Sequence, residues 1–177
     1  MKYVLLDRDG TIIVDTHYLS DPEKVEMLPN AFEGLKKLYD AGFGLIVVTN
    51  QSGIGRGYYQ ESDMHAVNAR MEKLLAERGI ELSAIFFCPH APDRECGCRK
   101  PAPGMFDQAV ERFGMNPQEC YVIGDKICDI ELGRARNAKS ILVRTGKGAA
   151  EESKCADLAT YVADDLLDAA KYIMGRG

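Results

Sequence analysis

Short, almost wholly apolar runs recur along the chain and stop abruptly at polar residues. The first run, Tyr3–Leu6, stops at Asp7, and the second, residues 45–48, stops at Thr49. Similar runs follow at residues 84–87, 121–123, 140–143 and 161–162. Runs of this kind are typical of strands that are buried on both faces of a sheet.

Between these runs, apolar residues recur at the spacing of an α-helix. Phe32, Leu35 and Leu38 would share one face of a helix that Gly42 ends. Further helices are expected over residues 62–78, 105–113, 127–137 and 164–174. Apolar strands that alternate with helices predict a parallel sheet with helices on both faces. We therefore expect a three-layer, Rossmann-like α/β fold in which residues 1–177 form one domain without a large cap domain.

Composition narrows the classes of function. The 177 residues include 22 basic and 27 acidic side chains, and the net charge of −5 disfavours nucleic acid and anionic membranes as partners. No apolar run is long enough to cross a bilayer, and Asp7 comes too early for a signal peptide. We therefore expect a cytoplasmic monomer with a core large enough to fold alone. In that compartment the six cysteines are candidate metal ligands or buried thiols before disulfides.

Acidic side chains follow the first and fourth predicted strands. Asp7 and Asp9 stand two positions apart after the first strand, and Asp125 follows the fourth. Because the carboxyl ends of parallel strands form the ligand crevice, these side chains should converge. Crowded carboxylates need a counter-charge, and oxygen ligands suit magnesium. An ordinary Asp-Gly turn remains an alternative for the segment from Asp7 to Gly10. Asp129 could be a structural hydrogen-bond acceptor.

Groups suited to phosphate oxygens follow other strands. Residues 49–52 offer two hydroxyls, two amides and backbone donors, and Arg99 and Lys100 offer two cations. Lys147, in a later glycine-flanked loop, could lie near the same phosphate. Taken alone, residues 49–52 also fit a polar loop that caps a helix, and Arg99 and Lys100 fit a solvated basic pair.

Three cysteines and a histidine fall within eleven residues after the third strand, in the pattern C-x-H-x5-C-x-C. These four residues are Cys88, His90, Cys96 and Cys98. Thiolate and imidazole ligands in a short loop suit tetrahedral zinc, and four protein ligands would make the ion structural. The alternative is a set of buried thiols with a chance histidine. The other three cysteines are expected as buried thiols: Cys120, Cys128 and Cys155.

The strings DRDGT, VVTNQS, RKP and VIGDKICD together resemble, in order and spacing, the motifs of the haloacid dehalogenase superfamily of phosphotransferases. The resemblance covers nearly the whole chain. It implies that Asp7 is the nucleophile and Asp9 the general acid/base, while Thr49 and Lys100 bind the transferring phosphoryl group. It also implies a catalytic magnesium ion held by Asp7, the Asp9 carbonyl and Asp125.

With the cysteine loop added, the chain resembles the D-glycero-D-manno-heptose 1,7-bisphosphate 7-phosphatase family and, close to it, histidinol-phosphate phosphatases. The resemblance implies removal of the 7-phosphate of a phosphorylated sugar through an aspartyl-phosphate, in ADP- or GDP-heptose synthesis for bacterial lipopolysaccharide or other glycans. The implied substrate contacts, among which Arg99 recognises the substrate, are Asp15, Thr16, His17, Tyr18, Asn50, Gln51, Ser52, Arg99 and Lys126. Two alternatives stay open: a histidinol-phosphate phosphatase, and a zinc-stabilised binding module without turnover.

Overall fold

The computed structural model describes residues 1–175, and it contains a six-stranded sheet in which every neighbouring pair is parallel. The strands are β1 (Tyr3–Leu6), β2 (Gly44–Asn50), β3 (Ala84–Cys88), β4 (Tyr121–Gly124), β5 (Lys139–Val143) and β6 (Tyr161–Ala163). Their order in the sheet is β3-β2-β1-β4-β5-β6. The chain runs outward in both directions from β1, so a topological switch point with its ligand crevice lies between β1 and β4.

The helices of the described residues are α1 (Ala31–Asp40), α2 (Ser52–Gly55), α3 (Glu61–Ala76), α4 (Gly104–Phe113), α5 (Ile127–Ala135), α6 (Gly148–Cys155) and α7 (Leu166–Met174). Two short 3-10 turns cover Pro22–Lys24 and Pro117–Glu119. Sequence analysis missed α2 and α6, since both are short and rich in glycine or polar residues, without a helical apolar stripe. Within residues 1–175, none of these helices is both long and apolar enough to span a membrane.

Two apolar layers cover the sheet. Val4 and Leu6 of β1 pack on one face with α1, α3 and α7, whereas Tyr3 and Leu5 pack on the other face with α4. This division follows from the alternation of side chains along a strand. The predicted α/β fold, with a parallel sheet between two helical layers and no large cap, is confirmed.

The segment between β1 and α1 is folded against the end of the sheet. Ile12 and Ile13 are fully buried in it. The N–H of Val14 donates to the Glu26 carbonyl at 2.8 Å, and that of Leu28 to the Ile12 carbonyl at 3.0 Å. This segment therefore carries its polar loop to the carboxyl end of the strands.

Candidate active site

A cavity of about 350 Å³ opens where β1, β2 and β4 end. Eleven of the predicted site residues line it: Asp7, Asp9, Asp15, His17, Tyr18, Asn50, Gln51, Ser52, Arg99, Lys100 and Lys126. Thr16 is not part of the wall. Thr49 and Asp125 are buried, and each is hydrogen-bonded to a residue of the wall. Arg8 and Tyr59 line the cavity without having been predicted.

Lys100 is almost fully buried, and each of its three ammonium protons has an acceptor. Its Nζ donates to Asp7 Oδ1 at 2.9 Å, to Asp129 Oδ1 at 2.7 Å and to the Val48 carbonyl at 2.8 Å. Burial alone would lower the pKa of Lys100, but the charges of Asp129 and then Asp7 outweigh it and raise that pKa. Asp129 therefore accepts a buried hydrogen bond from Lys100, which is the structural role that sequence analysis suggested for it.

Asp7 follows β1 and faces two ammonium groups. Besides the Lys100 contact, Lys126 Nζ lies 3.6 Å from Asp7 Oδ2. Burial alone would raise the pKa of Asp7, but Lys100 and then Lys126 outweigh burial and lower it to about 2. Asp7 is therefore ionised at neutral pH, as a carboxylate nucleophile must be.

Asp125 follows β4 and is wholly buried. Its Oδ1 lies 3.4 Å from Lys126 Nζ, and its Oδ2 accepts a hydrogen bond from the Lys147 N–H at 2.9 Å. Burial, followed by the charge of Asp7, raises the pKa of Asp125 to about 7. The Lys126 ammonium is thus within reach of both carboxylates, and a divalent cation there would offset their repulsion more fully.

Two glycines allow loops to approach Asp125 closely. Gly10 has a φ of +84°, and a Cβ there would lie 2.2 Å from Asp125 Oδ2. Gly146, with a φ of +56°, would place a Cβ 2.3 Å from the same oxygen. The Thr145 hydroxyl donates to the Gly10 carbonyl at 2.8 Å. The loop after β5 is therefore packed onto the turn after β1, and together they enclose Asp125.

Asn50, predicted as a substrate contact, is bonded to the protein itself. Its Oδ1 accepts from the Lys100 N–H at 3.0 Å, and its Nδ2 donates to the Lys100 carbonyl at 3.2 Å. Both ends of the amide thus hold the backbone of Lys100 against the end of β2. Asn50 therefore positions Lys100 as well as lining the cavity.

Two cations line the cavity without an ion-pair partner in the described part of the chain: Arg99 and Lys147. Arg99 Nη1 is also buried without a hydrogen-bond acceptor among those residues. A buried donor that lacks an acceptor destabilises the structure by roughly 1–3 kcal/mol. An anionic ligand would supply the missing acceptor, so this side of the cavity suits a negatively charged group.

The loop between β1 and α1 contributes Asp15, His17 and Tyr18 to the cavity wall. His17 and Tyr18 both have a φ of 54°, in the left-handed region, and Asp15 Oδ1 accepts from the His17 N–H at 3.0 Å. Tyr18 packs edge-on against the exposed Tyr58, with 4.7 Å between ring centroids. The turn therefore presents an aromatic rim beside the predicted substrate contacts.

Sequence analysis missed Arg8 and Asn68. Arg8 donates through Nε and Nη2 to both oxygens of Asp9, at 3.0 and 3.1 Å, and through Nη1 to Asn68 Oδ1 at 2.8 Å. Asn68 shares the buried face of α3 with Met64 and Met71. A polar residue at an apolar position of the helical pattern was the available signal for Asn68.

The cysteine loop brings its four predicted ligands together: Cys88, His90, Cys96 and Cys98, whose ligand atoms all lie within 4.8 Å of one another. Cys96 Sγ is 3.6 Å from Cys88 Sγ and 3.7 Å from Cys98 Sγ, and His90 Nδ1 is 3.5 Å from Cys88 Sγ. Tetrahedral zinc with Zn–S bonds of about 2.3 Å would separate its sulfurs by about 3.8 Å. These distances match that geometry, although Cys98 Sγ lies closer to Cys88 Sγ, at 2.9 Å.

All six cysteines are free thiols, and three lie outside the cluster. Cys120 and Cys155 are buried and donate to backbone carbonyls, as expected for core thiols. Cys128 differs from that expectation because it lines the cavity. Burial raises its pKa to about 12, so it stays protonated at neutral pH.

Residues 97–169 match the HAD-hydrolase-like family model. The chain is 40% identical over 172 residues to D-glycero-beta-D-manno-heptose-1,7-bisphosphate 7-phosphatase of Pseudomonas aeruginosa, covering 97% of each chain. It is 38% identical over 167 residues to D-glycero-alpha-D-manno-heptose-1,7-bisphosphate 7-phosphatase of Photorhabdus laumondii, covering 90% of this chain and 91% of the relative.

The fold is also similar to a crystal structure of D,D-heptose 1,7-bisphosphate phosphatase from B. bronchiseptica complexed with magnesium and phosphate. That similarity has a TM-score of 0.94 at 31% identity and covers 100% of both chains. The fold, the order of the motifs and the sequence identity to relatives along nearly the whole chain all indicate the same family. The chain therefore belongs to the heptose-1,7-bisphosphate 7-phosphatase family of HAD-like hydrolases.

Proposed function

We propose that this chain is a magnesium-dependent phosphatase that removes the 7-phosphate of D-glycero-D-manno-heptose 1,7-bisphosphate, in heptose synthesis in the cytoplasm. The observation that carries the proposal is the pair of ammonium groups on Asp7, at 2.9 Å for Lys100 and 3.6 Å for Lys126. They keep a buried carboxylate ionised in the wall of a cavity large enough for a phosphorylated sugar. The same two cations would neutralise the phosphoryl group that this carboxylate attacks.

The reaction has two steps. A carboxylate oxygen of Asp7 attacks the phosphorus, the bond from phosphorus to the sugar oxygen breaks, and Asp9 gives its proton to that oxygen. Asp9 then takes a proton from water, whose oxygen attacks the phosphorus of the aspartyl-phosphate and releases inorganic phosphate. Thr49 and Lys100 hold the phosphoryl oxygens during both steps.

The acidic residues fit a magnesium ion. Asp7, Asp125 and Asp129 each bring a carboxylate oxygen within 4.8 Å of the others. Asp129 accepts from Lys100 and from the Lys126 N–H, so Asp7, Asp125 and the Asp9 carbonyl are the proposed ligands. Bound magnesium would offset the charge of the phosphate and of the nucleophile.

The cysteine loop fits a structural zinc ion with four protein ligands. Its position is informative because Cys98 directly precedes Arg99 and Lys100. A zinc ion would restrain the segment that presents both cations to the cavity, without touching the reacting atoms.

The cations of the cavity support a substrate with a second phosphate. Within residues 1–175, Arg99 and Lys147 have no ion-pair partner and can bind an anion, whereas Lys100 and Lys126 contact the catalytic carboxylates. Histidinol phosphate, whose leaving alcohol carries a cationic amine, would gain nothing from these two cations.

A specificity panel tests the proposal. Phosphate release would be measured with magnesium for both anomers of the heptose bisphosphate, fructose 1,6-bisphosphate and histidinol phosphate. We expect the highest kcat/KM for one of the heptose bisphosphates, and relatives that differ in the named anomer make both anomers necessary. A preference for histidinol phosphate would contradict the substrate, and no phosphate release from any of them would contradict the activity.

A further inference from the structure

The guanidinium of Arg8 is part of the cavity wall, and the side chain is only 1% exposed. A buried charge is costly unless it is paired and fully hydrogen-bonded. Arg8 is paired with Asp9, whose two carboxylate oxygens accept from Nε and Nη2 at 3.0 and 3.1 Å. A fork of two parallel bonds fixes the plane of a carboxylate, which a single ammonium contact does not.

Two other elements hold the guanidinium in place. Asn68, on α3, accepts from Nη1 at 2.8 Å, and Gln51, after β2, accepts from Nη2 at 3.2 Å. Both side chains are buried, at 5% and 3% exposure. The orientation of Asp9 is thereby linked to α3 and to the end of β2.

Gln51 extends this arrangement to the predicted phosphoryl-binding hydroxyl. Its Oε1 accepts from Arg8 and from the Tyr59 hydroxyl at 2.6 Å. Because a guanidinium only donates, that end of the amide must be the oxygen. Gln51 Nε2 then donates to Asp9 Oδ2 at 3.0 Å and to Thr49 Oγ1 at 2.8 Å, which leaves the Thr49 hydroxyl proton for a ligand.

We propose that Arg8, held by Asn68 and Gln51, is a positioning residue that orients the Asp9 carboxyl for proton transfer. The inference rests on the proposed function, since it requires Asp9 to give a proton to the leaving oxygen and take one from water. Asp9 Oδ2 accepts two hydrogen bonds and Oδ1 accepts one, so the exchanged proton would be carried on the remaining lone pair of Oδ1. Arg8 itself exchanges no proton and contacts no reacting atom.

If Arg8 has this role, the effect of removing it should depend on whether the leaving group needs a proton. A sugar alkoxide must be protonated as it leaves, whereas p-nitrophenolate leaves without a proton. A misoriented Asp9 therefore lowers kcat/KM for the sugar bisphosphate and leaves kcat/KM for p-nitrophenyl phosphate nearly unchanged. Hydrolysis of the aspartyl-phosphate also needs Asp9, so p-nitrophenyl phosphate should show a burst of one product per enzyme before a slower steady state.

The experiment compares Arg8→Met, Arg8→Lys and Asn68→Leu with the wild type on both substrates. We expect a fall of about 100-fold in kcat/KM for the sugar bisphosphate with Arg8→Met, consistent with the usual share of general acid catalysis. For p-nitrophenyl phosphate we expect kcat/KM to fall by less than about threefold in the same variant. Arg8→Lys keeps the charge but not the fork, so its loss should be intermediate.

Two further variants control for folding. Asn68→Asp keeps an acceptor oxygen for Arg8 and should restore most of the activity that Asn68→Leu loses. The melting temperatures of the two variants should be equal, so that the difference in activity does not reflect unfolding. Arg136→Met removes an arginine that forms a fork with Asp107 on the surface, and it should change neither substrate's kcat/KM.

Equal losses on both substrates would show a merely structural role and would overturn the inference, as would full activity of Arg8→Met. A wild-type enzyme that releases phosphate from neither substrate would instead contradict the proposed function. The two failures are therefore distinguishable within one set of assays.

Discussion

The carboxylate centre around Asp7 and the cysteine loop of residues 88–98 meet at Arg99 and Lys100, but they are assembled from different distances along the chain. The cysteine loop takes all four candidate ligands from eleven consecutive residues. The carboxylate centre joins Asp7 to Lys100 and Lys126, from positions after different strands. A local motif can form wherever its loop forms, whereas the carboxylate centre exists only when the sheet is complete.

The two regions also differ in what neutralises them. Among the carboxylates, Lys100 supplies a buried positive charge within hydrogen-bond distance of two acids. The four-ligand cluster of the cysteine loop contains one non-thiol member, His90, and it has no lysine or arginine of its own. Burial raises the pKa of the Cys88 thiol to about 12, whereas for Cys96 burial is outweighed by hydrogen bonds from the backbone, which lower its pKa to about 6. The carboxylate centre therefore carries most of its own counter-charge, while the cysteine loop needs a metal to become a compact charged site.

The largest expected effect is that of Asp7→Asn. The amide is a poor nucleophile, so phosphate release should fall by more than about 10⁴-fold. Lys100 keeps two other acceptors, Asp129 and the Val48 carbonyl, so the fold should persist. Phosphate release and circular dichroism measure the two outcomes, and a rate near that of the wild type would contradict nucleophilic catalysis by Asp7.

Lys100→Met should combine loss of activity with loss of stability. The substitution leaves Asp7 and Asp129 buried beside an apolar side chain, and breaking a buried ion pair in this way costs about 3–5 kcal/mol. Urea unfolding would measure the free energy of unfolding. Lys126→Met is the matched control, because Lys126 is 30% exposed and its removal should cost clearly less. An equal loss in the free energy of unfolding for both variants would show that the burial of Lys100 does not determine its contribution to stability.

Loss of a zinc ligand should have a smaller effect on catalysis than either change above. Cys98→Ser should abolish stoichiometric zinc, measured by elemental analysis, and lower kcat/KM about tenfold by loosening the segment that holds Lys100. Cys155→Ser is the control, since that buried thiol donates to the Glu151 carbonyl outside the loop and should leave the zinc content unchanged. Full activity without zinc would separate the two regions functionally.

The last prediction concerns magnesium and pH, and its readout is the melting temperature. Because the pKa of Asp125 is raised to about 7, its folded form favours the proton, and its contribution to stability without metal falls as pH rises from about 4 through 7. The loss corresponds to at most about 4 kcal/mol. Magnesium should therefore raise the melting temperature more at pH 8 than at pH 5.5. The same gain at both pH values, or a gain that Asp125→Asn retains, would contradict Asp125 as a ligand.

Much of the fold and part of the candidate site follow from local sequence. Strand-length apolar runs predict β1 and β2, and polar residues directly after them predict where Asp7 and Thr49 lie. The helices α2 and α6 escaped prediction because neither has an apolar stripe at helical spacing. Their stability depends on packing against the rest of the fold.

The sequence alone therefore determined the parallel α/β fold, the residues at the ends of its strands and the spacing of the cysteine loop, because each is encoded over a few neighbouring positions. Only the tertiary structure decided that Asp129 accepts from Lys100 and that Arg8 joins Asp9 to Asn68, sixty positions away. It also decided that Thr16 lies outside the cavity wall while its neighbours line it. Contacts of this kind depend on how helices pack on the completed sheet, and no local pattern specifies that packing.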